Sequence, residues 1–476
     1  MNGLFNTISI INLGLLIISG CNQTTQTNDE EEPKRQNVVI ILTDDMGYGD
    51  ISTYGQTIHQ TPNIDQLAAQ GTLFTDFYVP VPYCAPSRAT LLTGRFPLRH
   101  GLIHNPTPDR GVENDTIGIS AAELLLGEVL QNEGYKTKLI GKWHLGHQSK
   151  FFPTQHGFDE YYGILYSNDM RPVQLIENMD TVEYPVDQSL LTQKYTEKAI
   201  DFIHRNQDEP FFLHLCHAMP HKPLAASDDF YTPATSLNLY DDVIRELDWS
   251  VGEVINELES LDLMDNTIMI FMSDNGASWG GSNGGLKGMK ARTWDGGTRV
   301  PFIIRGLDVP AGQQISTPAA SVDIFPTLLN MLELDMPTDL ILDGVNITEM
   351  IEGDMKSHPP IFTMRQDKVM TIRSGDWKLF LKEPRYYRGP DEKYREGWEA
   401  RSPDGTTIIA PSKQPTPDLY PGIKPLPFDT FPLLFNLKED FSEMKNVAAE
   451  YPEKVEELQT AYDQFIKSLG EVESAF

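Results

Sequence analysis

Four apolar stretches of this chain are each followed at once by polar residues that can carry chemistry. They are VVIIL before Asp44 and Asp45, KTKLI before Lys142 and His144, FFLHLC before His217 and His221, and TIMIFM before Asp274 and Asn275. Such apolar stretches are typical of buried parallel strands. Because ligands of an open parallel sheet bind beyond the carboxyl ends of its strands, we expect these polar residues to meet at one edge.

The acidic members of this set favour a hard cation. Asp44, Asp45 and Asp274 would repel one another at one site, and Asn275 adds an amide oxygen. A divalent cation relieves that repulsion, and ligation by oxygen alone suits Ca²⁺ or Mg²⁺ better than zinc. Taken singly, each residue is more typical of a cap or turn after a strand. The set as a whole predicts a metal site.

Basic and titratable residues are predicted at the same edge. The candidates are Lys142, His144 and His221 after the strands, and Lys287 and Lys290 within the Gly-rich residues 284–300. Lysines there could hold an anionic group, and histidines can transfer protons near neutral pH. His217 is expected to pack or to support a neighbour rather than to catalyse.

Cys84 lies within VPYCAPSRATLLTGR, residues 81–95, where Pro86 suits the first turn of a helix. Backbone N–H groups and the helix dipole favour negative charge there, so we expect a thiol at Cys84 to be acidified. Soft sulfur is nevertheless poorly matched to Ca²⁺ or Mg²⁺. The residues therefore predict a metal-dependent hydrolase of an anionic ester and leave the role of Cys84 open.

The elements that must position these residues follow an α/β pattern from Asn37 onwards. The pattern predicts strands at 38–42, 136–140, 211–215 and 268–272, and helices from Pro62 to before Gly71, at 240–261 and at 322–332. Ser120 and Glu123 fit a capping box ahead of LLLGEVL. The alternation indicates a large, mainly parallel sheet between two layers of helices.

The pattern changes after about residue 355. Short strands (IFTMRQ, KVMTIRS, WKLFLK), a Pro-rich loop at 385–432 and a last helix at 452–469 predict a smaller α+β subdomain on an antiparallel sheet. The predicted organisation is a signal peptide at 1–21, a polar tether at 22–36, a catalytic domain at 37–355 and a C-terminal subdomain at 356–476.

The charge balance excludes one class of partner. The 476 residues contain 38 Lys+Arg and 68 Asp+Glu, a formal net charge of −30. Nucleic acid is excluded because binding its phosphates requires a basic surface. An anionic substrate has to be held where a few cations converge against the overall field.

The N-terminus resembles a bacterial lipoprotein signal. Its apolar run at 8–18 is too short to span a bilayer and ends in ISGC, although no Lys or Arg precedes the run. In such signals the cysteine, here Cys21, becomes lipidated, and the polar residues after it suit a tether. We therefore expect an exported protein with a lipid anchor, in the periplasm or at the outer-membrane surface. The alternative is an ordinary secretory signal.

Several motifs together resemble the type I sulfatases of the alkaline-phosphatase superfamily. They are C-A-P-S-R at 84–88, A-T-L-L-T-G-R at 89–95, G-K-W-H-L-G at 141–146, H-G-F-D-E-Y-Y-G at 156–163, P-H-K-P-L at 220–224, S-D-N-G at 273–276 and W-D-G-G-T-R-V-P at 294–301. Y-S-N-D-M at 166–170 is similar to the arylsulfatase A and N-acetylgalactosamine-6-sulfatase branch. The resemblance extends from about Asn37 to the C-terminus and implies an alkaline-phosphatase-like fold and a sulfuric ester hydrolase.

The resemblance implies a different chemistry for Cys84. In this family the cysteine is oxidised to Cα-formylglycine (3-oxoalanine) by a formylglycine-generating or maturase enzyme. The hydrated aldehyde would give the cation an oxygen ligand beside Asp44, Asp45, Asp274 and Asn275. The family cation is usually Ca²⁺, with Mg²⁺ as the alternative.

The resemblance also implies roles around the ester. Lys142 and Lys290 would hold the sulfate oxygens, and Lys290 is preferred to Lys287 because it precedes Asp295 by five residues, as the family's lysine precedes its acidic-Gly-Gly element. The other implied roles are Arg88 holding the hydrate, Asp274 accepting its first proton, His144 deprotonating the second hydroxyl and His221 protonating the leaving oxygen.

The predicted function is hydrolysis of sulfate esters on carbohydrates, with a role in the degradation of sulfated polysaccharides. We expect His100, His104, Asn168, Asp169 and Arg171 to line the rim that contacts the sugar. One alternative is a phosphoester or phosphonate hydrolase of the same superfamily. The other is a lipoprotein that binds sulfated glycans without turnover, if Cys84 is not converted.

Overall fold

The computed structural model describes residues 35–108, 116–232, 236–278, 280–386, 404–406 and 421–469. The predicted signal peptide with Cys21, most of the tether and most of the Pro-rich loop lie outside these ranges. Among the described residues, no helix combines the length and hydropathy needed to cross a membrane.

The described strands form two sheets. They are β1 (Asn37–Thr43), β2 (Thr72–Tyr78), β3 (Lys136–Lys142), β4 (Glu160–Ile164), β5 (Leu175–Glu177), β6 (Asp180–Glu183), β7 (Phe211–Cys216), β8 (Thr267–Ser273), β9 (Arg299–Arg305), β10 (Gln313–Ile315), β11 (Ala319–Ala320), β12 (Ile361–Arg365), β13 (Lys368–Ser374), β14 (Trp377–Phe380) and β15 (Leu433–Asn436). The large sheet has the order β10-β2-β9-β8-β1-β7-β3-β4-β5-β6, with β11 beside β2. Its centre, from β8 to β4, is parallel, whereas β9 runs antiparallel to both β8 and β2.

The central strand β1 shows why these segments are strands. All seven of its residues are buried. Val38, Ile40 and Leu42 pack on one side of the sheet, and Val39 and Ile41 pack on the other. Because successive side chains point to opposite faces, a continuous apolar run can line both helix layers at once. The predicted α/β architecture is confirmed.

The described α-helices cover the large sheet and support the small one. They are α1 (Pro62–Gln70), α2 (Cys84–Thr93), α3 (Pro97–His100), α4 (Leu126–Asn132), α5 (Leu191–Arg205), α6 (Ser236–Ser260), α7 (Asp295–Thr298), α8 (Ile324–Met331), α9 (Thr348–Ile351) and α10 (Pro452–Ser468). Gly71 follows α1 as predicted, but in an extended conformation. Glycine is required there because a Cβ would lie 2.3 Å from the carbonyl oxygen of Ile304.

The predicted capping box at Ser120 and Glu123 is wrong. Helix α4 begins later, at Leu126, and the Glu128 Oε2 accepts a hydrogen bond of 2.8 Å from the Leu125 N–H at its start. The Glu123 carboxylate instead forms a 2.6 Å ion pair with Arg95. The Ser-x-x-Glu pattern therefore occurs in the turn that precedes the helix.

The small sheet is antiparallel, with the order β12-β13-β14-β15. The three strands predicted from IFTMRQ, KVMTIRS and WKLFLK are confirmed, and LLFN adds a fourth. Apolar residues of this sheet form one buried cluster with residues near β2 and α3 and with α10. Residues Arg35–Phe476 form one compact unit, so the boundary between 355 and 356 stays a prediction.

Candidate functional site

The carboxyl ends of neighbouring parallel strands bring the predicted acidic residues together. β1 and β8 pair in parallel with Thr43 opposite Ser273. The residues that follow, Asp44 and Asp274, therefore leave the sheet side by side, and the Asp274 N–H donates to the carbonyl oxygen of Thr43 at 3.1 Å. β7 and β3 lie on the other side of β1 and end at the same edge.

Asp44 is fully buried and surrounded by cations. Its Oδ2 lies 2.5 Å from the Lys142 Nζ, and its Oδ1 lies 3.7 Å from an Arg88 nitrogen. Burial alone would raise the pKa of Asp44, but Lys142, His221 and Arg88 hold it well below its usual value. This carboxylate is therefore an anion in the folded protein.

Asp45 has a left-handed backbone, with φ of 68°. This sparsely populated conformation turns its carboxylate toward the same edge as Asp44. Its Oδ1 lies 2.6 Å from the Lys290 Nζ and accepts a 2.8 Å hydrogen bond from the Asn275 amide. Its N–H donates to the Asp274 Oδ1 at 3.1 Å.

The donor atoms at this edge fit a hard divalent cation. One ligand atom from each of Asp44, Asp45, Cys84 and His221 lies within 4.8 Å of the others. The Asp45 Oδ2 and the Asn275 Oδ1 are buried and have no hydrogen-bond donor among the described residues. Buried oxygens that lack a donor suit coordination of Ca²⁺ or Mg²⁺. The chemistry of these donors does not distinguish between the two ions.

Cys84 begins helix α2 and is 1% exposed. Its Sγ lies 3.2 Å from the Lys290 Nζ and 3.5 Å from the Asp44 Oδ1. The expectation of an acidified thiol is wrong: burial raises the pKa of Cys84 to about 12 and outweighs the lowering by Lys142 and Lys290. An unmodified Cys84 is therefore a neutral thiol and a poor nucleophile near neutral pH.

Arg88 lies one helical turn after Cys84 and is buried. It donates from Nε to the Asp274 Oδ2 at 3.0 Å and from a terminal nitrogen to the Lys142 carbonyl oxygen at 2.8 Å. Ser87 adds a 2.6 Å hydrogen bond to the Asp274 carbonyl oxygen. Burial and Asp44 raise the pKa of Asp274, and Arg88 opposes this effect. The helix is thus fixed to β3 and to the end of β8.

The side chains of the two candidate lysines in the Gly-rich segment make different contacts. The Lys290 Nζ contacts Asp45 and Cys84, whereas Lys287 lies over the Trp294 ring at 4.6 Å and donates to the Glu443 carbonyl oxygen. Of the two, only Lys290 belongs to the strand-end site.

His221 has its ring fixed by two acceptors. Its Nδ1 lies 2.9 Å from the Asn168 Oδ1 and 2.6 Å from the Lys222 carbonyl oxygen, so Nδ1 carries a hydrogen. Its Nε2 faces the site at 3.6 Å from the Asp45 Oδ2. Burial and Lys290 lower the pKa of His221, while Asp45 raises it. A proton on Nε2 would point toward the site.

His144 is fully buried and has a left-handed backbone, with φ of 64°. Its Nε2 lies 3.3 Å from the Pro106 carbonyl oxygen, and its Nδ1 has no hydrogen-bond partner among the described residues. Burial and the Lys142 ammonium hold the pKa of His144 well below its usual value. A neutral imidazole with one free nitrogen can accept a proton.

A cavity of about 600 Å³ opens beside Lys290. Its described lining is Tyr83, His104, Asn105, Thr107, Ile117, Met170, Lys290, Ala291, Arg365 and Gln366. The lining joins the loop before α2, the loop after α3 and the turn between β12 and β13. The cavity therefore gives a saccharide-sized ligand access to the strand-end site.

Of the five predicted rim residues, His104 lines the cavity, and three others lie in different surroundings. His100 is 3% exposed, and its ring nitrogens contact the Thr90 hydroxyl and the Leu102 N–H, each at 3.2 Å. Arg171 forms a two-pronged ion pair with Asp404 at 2.5 and 2.7 Å. Asp169 is an exposed residue, but its carboxylate is partly surrounded by protein atoms; this desolvation would raise its pKa, and His221 and Ser167 outweigh the effect and lower it.

Several residues support the site in ways that the sequence did not indicate, and of these only Asn168 was predicted near the site, at its rim. Ser167 lies 3.3 Å from the Lys142 Nζ, Asn168 orients His221, and the Asn105 side chain accepts from the Ala85 N–H at 3.1 Å. His217, set aside as a supporting residue, contacts the Ser250 hydroxyl at 3.2 Å. The Y-S-N-D-M motif contained the signal for the first two, because it follows a strand at the same edge.

Family models match most of the chain. The model described as Sulfatase matches residues 36–334, and the model described as the C-terminal region of aryl-sulfatase matches residues 356–476.

Individual proteins are similar over comparable spans. N-acetylgalactosamine-6-sulfatase of Homo sapiens is 37% identical over 373 residues, covering 73% of this chain and 71% of that protein. Arylsulfatase G of Rattus norvegicus is 31% identical over 487 residues, covering 90% and 86%. The crystal structure of Ps i-CgsB in complex with k-i-k-neocarrahexaose is 27% identical with a TM-score of 0.74, covering 91% and 93%.

Proposed function

The chain belongs to the sulfatase family and is a sulfuric ester hydrolase, and we propose that it releases inorganic sulfate from sulfated carbohydrates with an oxidised residue 84 as nucleophile. Its similarity to N-acetylgalactosamine-6-sulfatase, and to a structure solved with a carrahexaose, supports a saccharide substrate. A role in the breakdown of sulfated polysaccharides follows from that substrate class.

The proposal rests mainly on the charged groups that surround Cys84. Two ammonium groups and a carboxylate are grouped around it, with Lys290 at 3.2 Å, Asp44 at 3.5 Å and Lys142 held against Asp44 at 2.5 Å. A buried neutral thiol makes little use of these charges. An oxygen nucleophile and an anionic ester would use all of them.

Two groups that the chain would carry complete the site. Formylglycine at position 84, made from Cys84 by a formylglycine-generating or maturase enzyme, supplies as its hydrate the attacking oxygen and a second hydroxyl whose deprotonation releases sulfate. A Ca²⁺ ion, or Mg²⁺, held by Asp44, Asp45, Asp274, Asn275 and position 84, would supply positive charge that polarises the nucleophile and the ester. The donor-free oxygens of Asp45 and Asn275 support this assignment.

The remaining steps belong to the lysines and histidines. Lys142 and Lys290 balance the charge that develops on the sulfuryl oxygens, while Arg88 orients position 84. When protonated on both nitrogens, His221 gives the Nε2 proton to the leaving sugar oxygen, while Nδ1 keeps its hydrogen toward Asn168 and Lys222, which fix the ring. Asp274 takes the first proton from position 84, and the free Nδ1 of His144 takes the second.

Sulfate and phosphate esters decide between this function and its main alternative. We expect sulfate release, measured by ion chromatography, from a panel of sulfated mono- and oligosaccharides, and much slower release of phosphate from the matched phosphate esters. The reverse preference would make the protein a phosphoester hydrolase. Binding without release by a protein in which mass spectrometry finds residue 84 as unconverted cysteine would support the non-catalytic alternative.

We also propose that the protein is exported and anchored by lipid at Cys21. The apolar run at 8–18 ending in ISGC supports this placement. Expressed in a bacterium with lipoprotein processing, the full chain should enter the detergent phase on Triton X-114 partitioning, and Cys21→Ser should remain in the aqueous phase. Equal partitioning of the two would contradict the anchor.

A further inference from the structure

Two arginines belong to chain segments that line the cavity beside Lys290. Arg365 ends β12 and lines the cavity, and Arg292 follows Lys290 and Ala291 in the chain. The Nε atoms of both arginines are buried and have no hydrogen-bond partner among the described residues. A third arginine, Arg385, is close enough to affect Arg365.

The electrostatics of Arg365 reflect repulsion between these groups. Burial, Arg385 and Arg292 lower its pKa, and Tyr83 raises it. Among the described residues, the main contributors to this pKa include no carboxylate, although the protein has a net charge of −30 and acidic side chains in excess. Gathering like charges at one position is unfavourable unless an anion binds there.

The backbone fixes both arginines relative to position 84. The Met364 N–H donates to the Pro80 carbonyl oxygen at 2.7 Å, and the Ala291 N–H donates to the Pro82 carbonyl oxygen at 2.6 Å. The Tyr83 hydroxyl accepts from the Gln366 N–H at 2.8 Å. The segment that leads into Cys84 is thus hydrogen-bonded to both arginine-bearing segments. An anion at the arginines and an ester at position 84 would have a defined spacing.

We propose that Arg365 and Arg292 form a second anion-binding position, which holds a second anionic substituent of the same saccharide whose sulfate ester lies at position 84. This inference rests on the proposed function and narrows its substrate to saccharides with at least two anionic groups. The planar guanidinium fork pairs equally well with a sulfate and with a uronic-acid carboxylate, so the shared chemistry is an oxyanion.

Binding to the Cys84→Ala protein tests the inference without turnover. The probes are N-acetylgalactosamine 6-sulfate, the corresponding sugar with a second sulfate, and the corresponding disaccharide with a uronic acid. We expect one of the two-anion saccharides to bind about 10- to 100-fold more tightly than the one-anion sugar in isothermal titration calorimetry. The one that gains affinity identifies the second anion as sulfate or carboxylate.

Two arginine variants test whether the gain in affinity for the two-anion saccharide depends on Arg365 and Arg292. Adding Arg365→Gln or Arg292→Gln should remove most of it while leaving affinity for the one-anion sugar within about 2-fold. Lys368→Gln is the matched control, because it removes one positive charge from an exposed position on the same turn. It should leave the gain in place. Thermal unfolding checks that every variant is folded.

Separate outcomes distinguish this inference from the proposed function. Equal affinity for the three saccharides, or a gain that survives both arginine substitutions, overturns the inference. Loss of the gain in Lys368→Gln as well would show a nonspecific charge effect and also overturn it. Sulfate release by the converted wild-type protein is measured in parallel, so a failure of the proposed function is seen independently.

Discussion

Two buried charge clusters in this protein contain the same numbers of carboxylates and cations but lie in different surroundings. The strand-end cluster consists of Asp44, Asp45, Asp274, Arg88, Lys142 and Lys290. The inter-sheet cluster consists of Asp76, Asp295, Glu443, Arg299, Arg373 and Lys378. Each contains three carboxylates and three cations, but the strand-end cluster adjoins the cavity of about 600 Å³ beside Lys290, whereas the inter-sheet cluster borders a cavity of about 180 Å³.

The inter-sheet cluster pairs each of its carboxylates with a cation from within the cluster. Asp76 receives Arg299 from the large sheet and Arg373 from the small sheet, each at 2.7 Å. Lys378 lies 2.6 Å from Asp295 and 2.9 Å from Glu443. The cluster therefore connects the two sheets through ion pairs, and its natural role is structural.

The strand-end cluster leaves acceptor atoms without donors. The Asp45 Oδ2 has only the His221 Nε2, at 3.6 Å, and the Asn275 Oδ1 beside it has no donor among the described residues. Asp45 of this cluster, and His144 two residues after Lys142, also have left-handed backbones. The same number of charges thus links the two sheets in the inter-sheet cluster and forms a binding site in the strand-end cluster.

The largest effect expected from this comparison is on activity at the strand-end cluster. Cys84→Ala should reduce sulfate release by about 10⁴-fold or more, because the attacking group is lost, while thermal unfolding stays close to that of the wild type. Cys216→Ala is the matched control. Cys216 is a second buried cysteine, on β7, and its removal should leave most of the activity. Substantial sulfate release by Cys84→Ala would contradict the proposed nucleophile.

The next effect is on stability at the inter-sheet cluster. Lys378→Met leaves Asp295 and Glu443 without their ammonium group and should lower the free energy of unfolding by about 3–5 kcal/mol. Lys445→Met, at a side chain that is 68% exposed, should change it by no more than about 0.5 kcal/mol. Urea unfolding measures both. Equal stability of the two variants would remove the structural role of the cluster.

A divalent cation should stabilise the protein through the strand-end cluster, and this effect can be measured without turnover. Ca²⁺ or Mg²⁺ at about 100 times its dissociation constant should stabilise the wild type by about 2.7 kcal/mol. Asp45→Asn should abolish most of this effect, whereas Asp308→Asn, at an exposed position, should keep it. Calorimetric melting with and without the ion measures the difference. An unchanged effect in Asp45→Asn would place the ion elsewhere.

The smallest effect is a pH dependence at the inter-sheet cluster. Burial raises the pKa of Glu443 from 4.5 to about 7, so the folded state binds a proton that the unfolded state has released between these values. This contribution to stability is complete below pH 4.5 and is lost as the pH rises through 7, with a slope of at most about 1.4 kcal/mol per pH unit. Glu443→Gln should remove it. The free energy of unfolding of the wild type should therefore fall steadily, relative to that of the variant, as the pH rises from 5 to 7.

The strand-end site could be anticipated from sequence because short-range patterns encode it. Apolar runs predicted the strands, and the polar residues directly after them, such as Asp44 and Asp274, had to meet once those strands were parallel. Family motifs then separated Lys290 from Lys287, and the structure places Lys290 beside Cys84.

The remaining features depend on distant contacts. The residues next to His100 in the sequence do not show that both of its ring nitrogens form contacts, one with α2 and one with the loop that follows His100. The residues next to Arg171 likewise do not show its ion pair with Asp404, which is 233 residues away. The inter-sheet cluster joins Asp76 to Arg373, 297 residues apart, so no sequence spacing reveals it. The pKa of Cys84 was mispredicted for a related reason: burial, set by the whole fold, outweighs the helix start.

The proposed activity depends above all on the chemical state of residue 84 within the strand-end cluster. The direct test is to prepare the protein with and without a formylglycine-generating or maturase enzyme, and to quantify the converted fraction of the peptide containing residue 84 by mass spectrometry. The rate of sulfate release is then plotted against that fraction. We predict a proportional increase that extrapolates to no activity at zero conversion. Equal activity in unconverted and converted preparations would contradict the account.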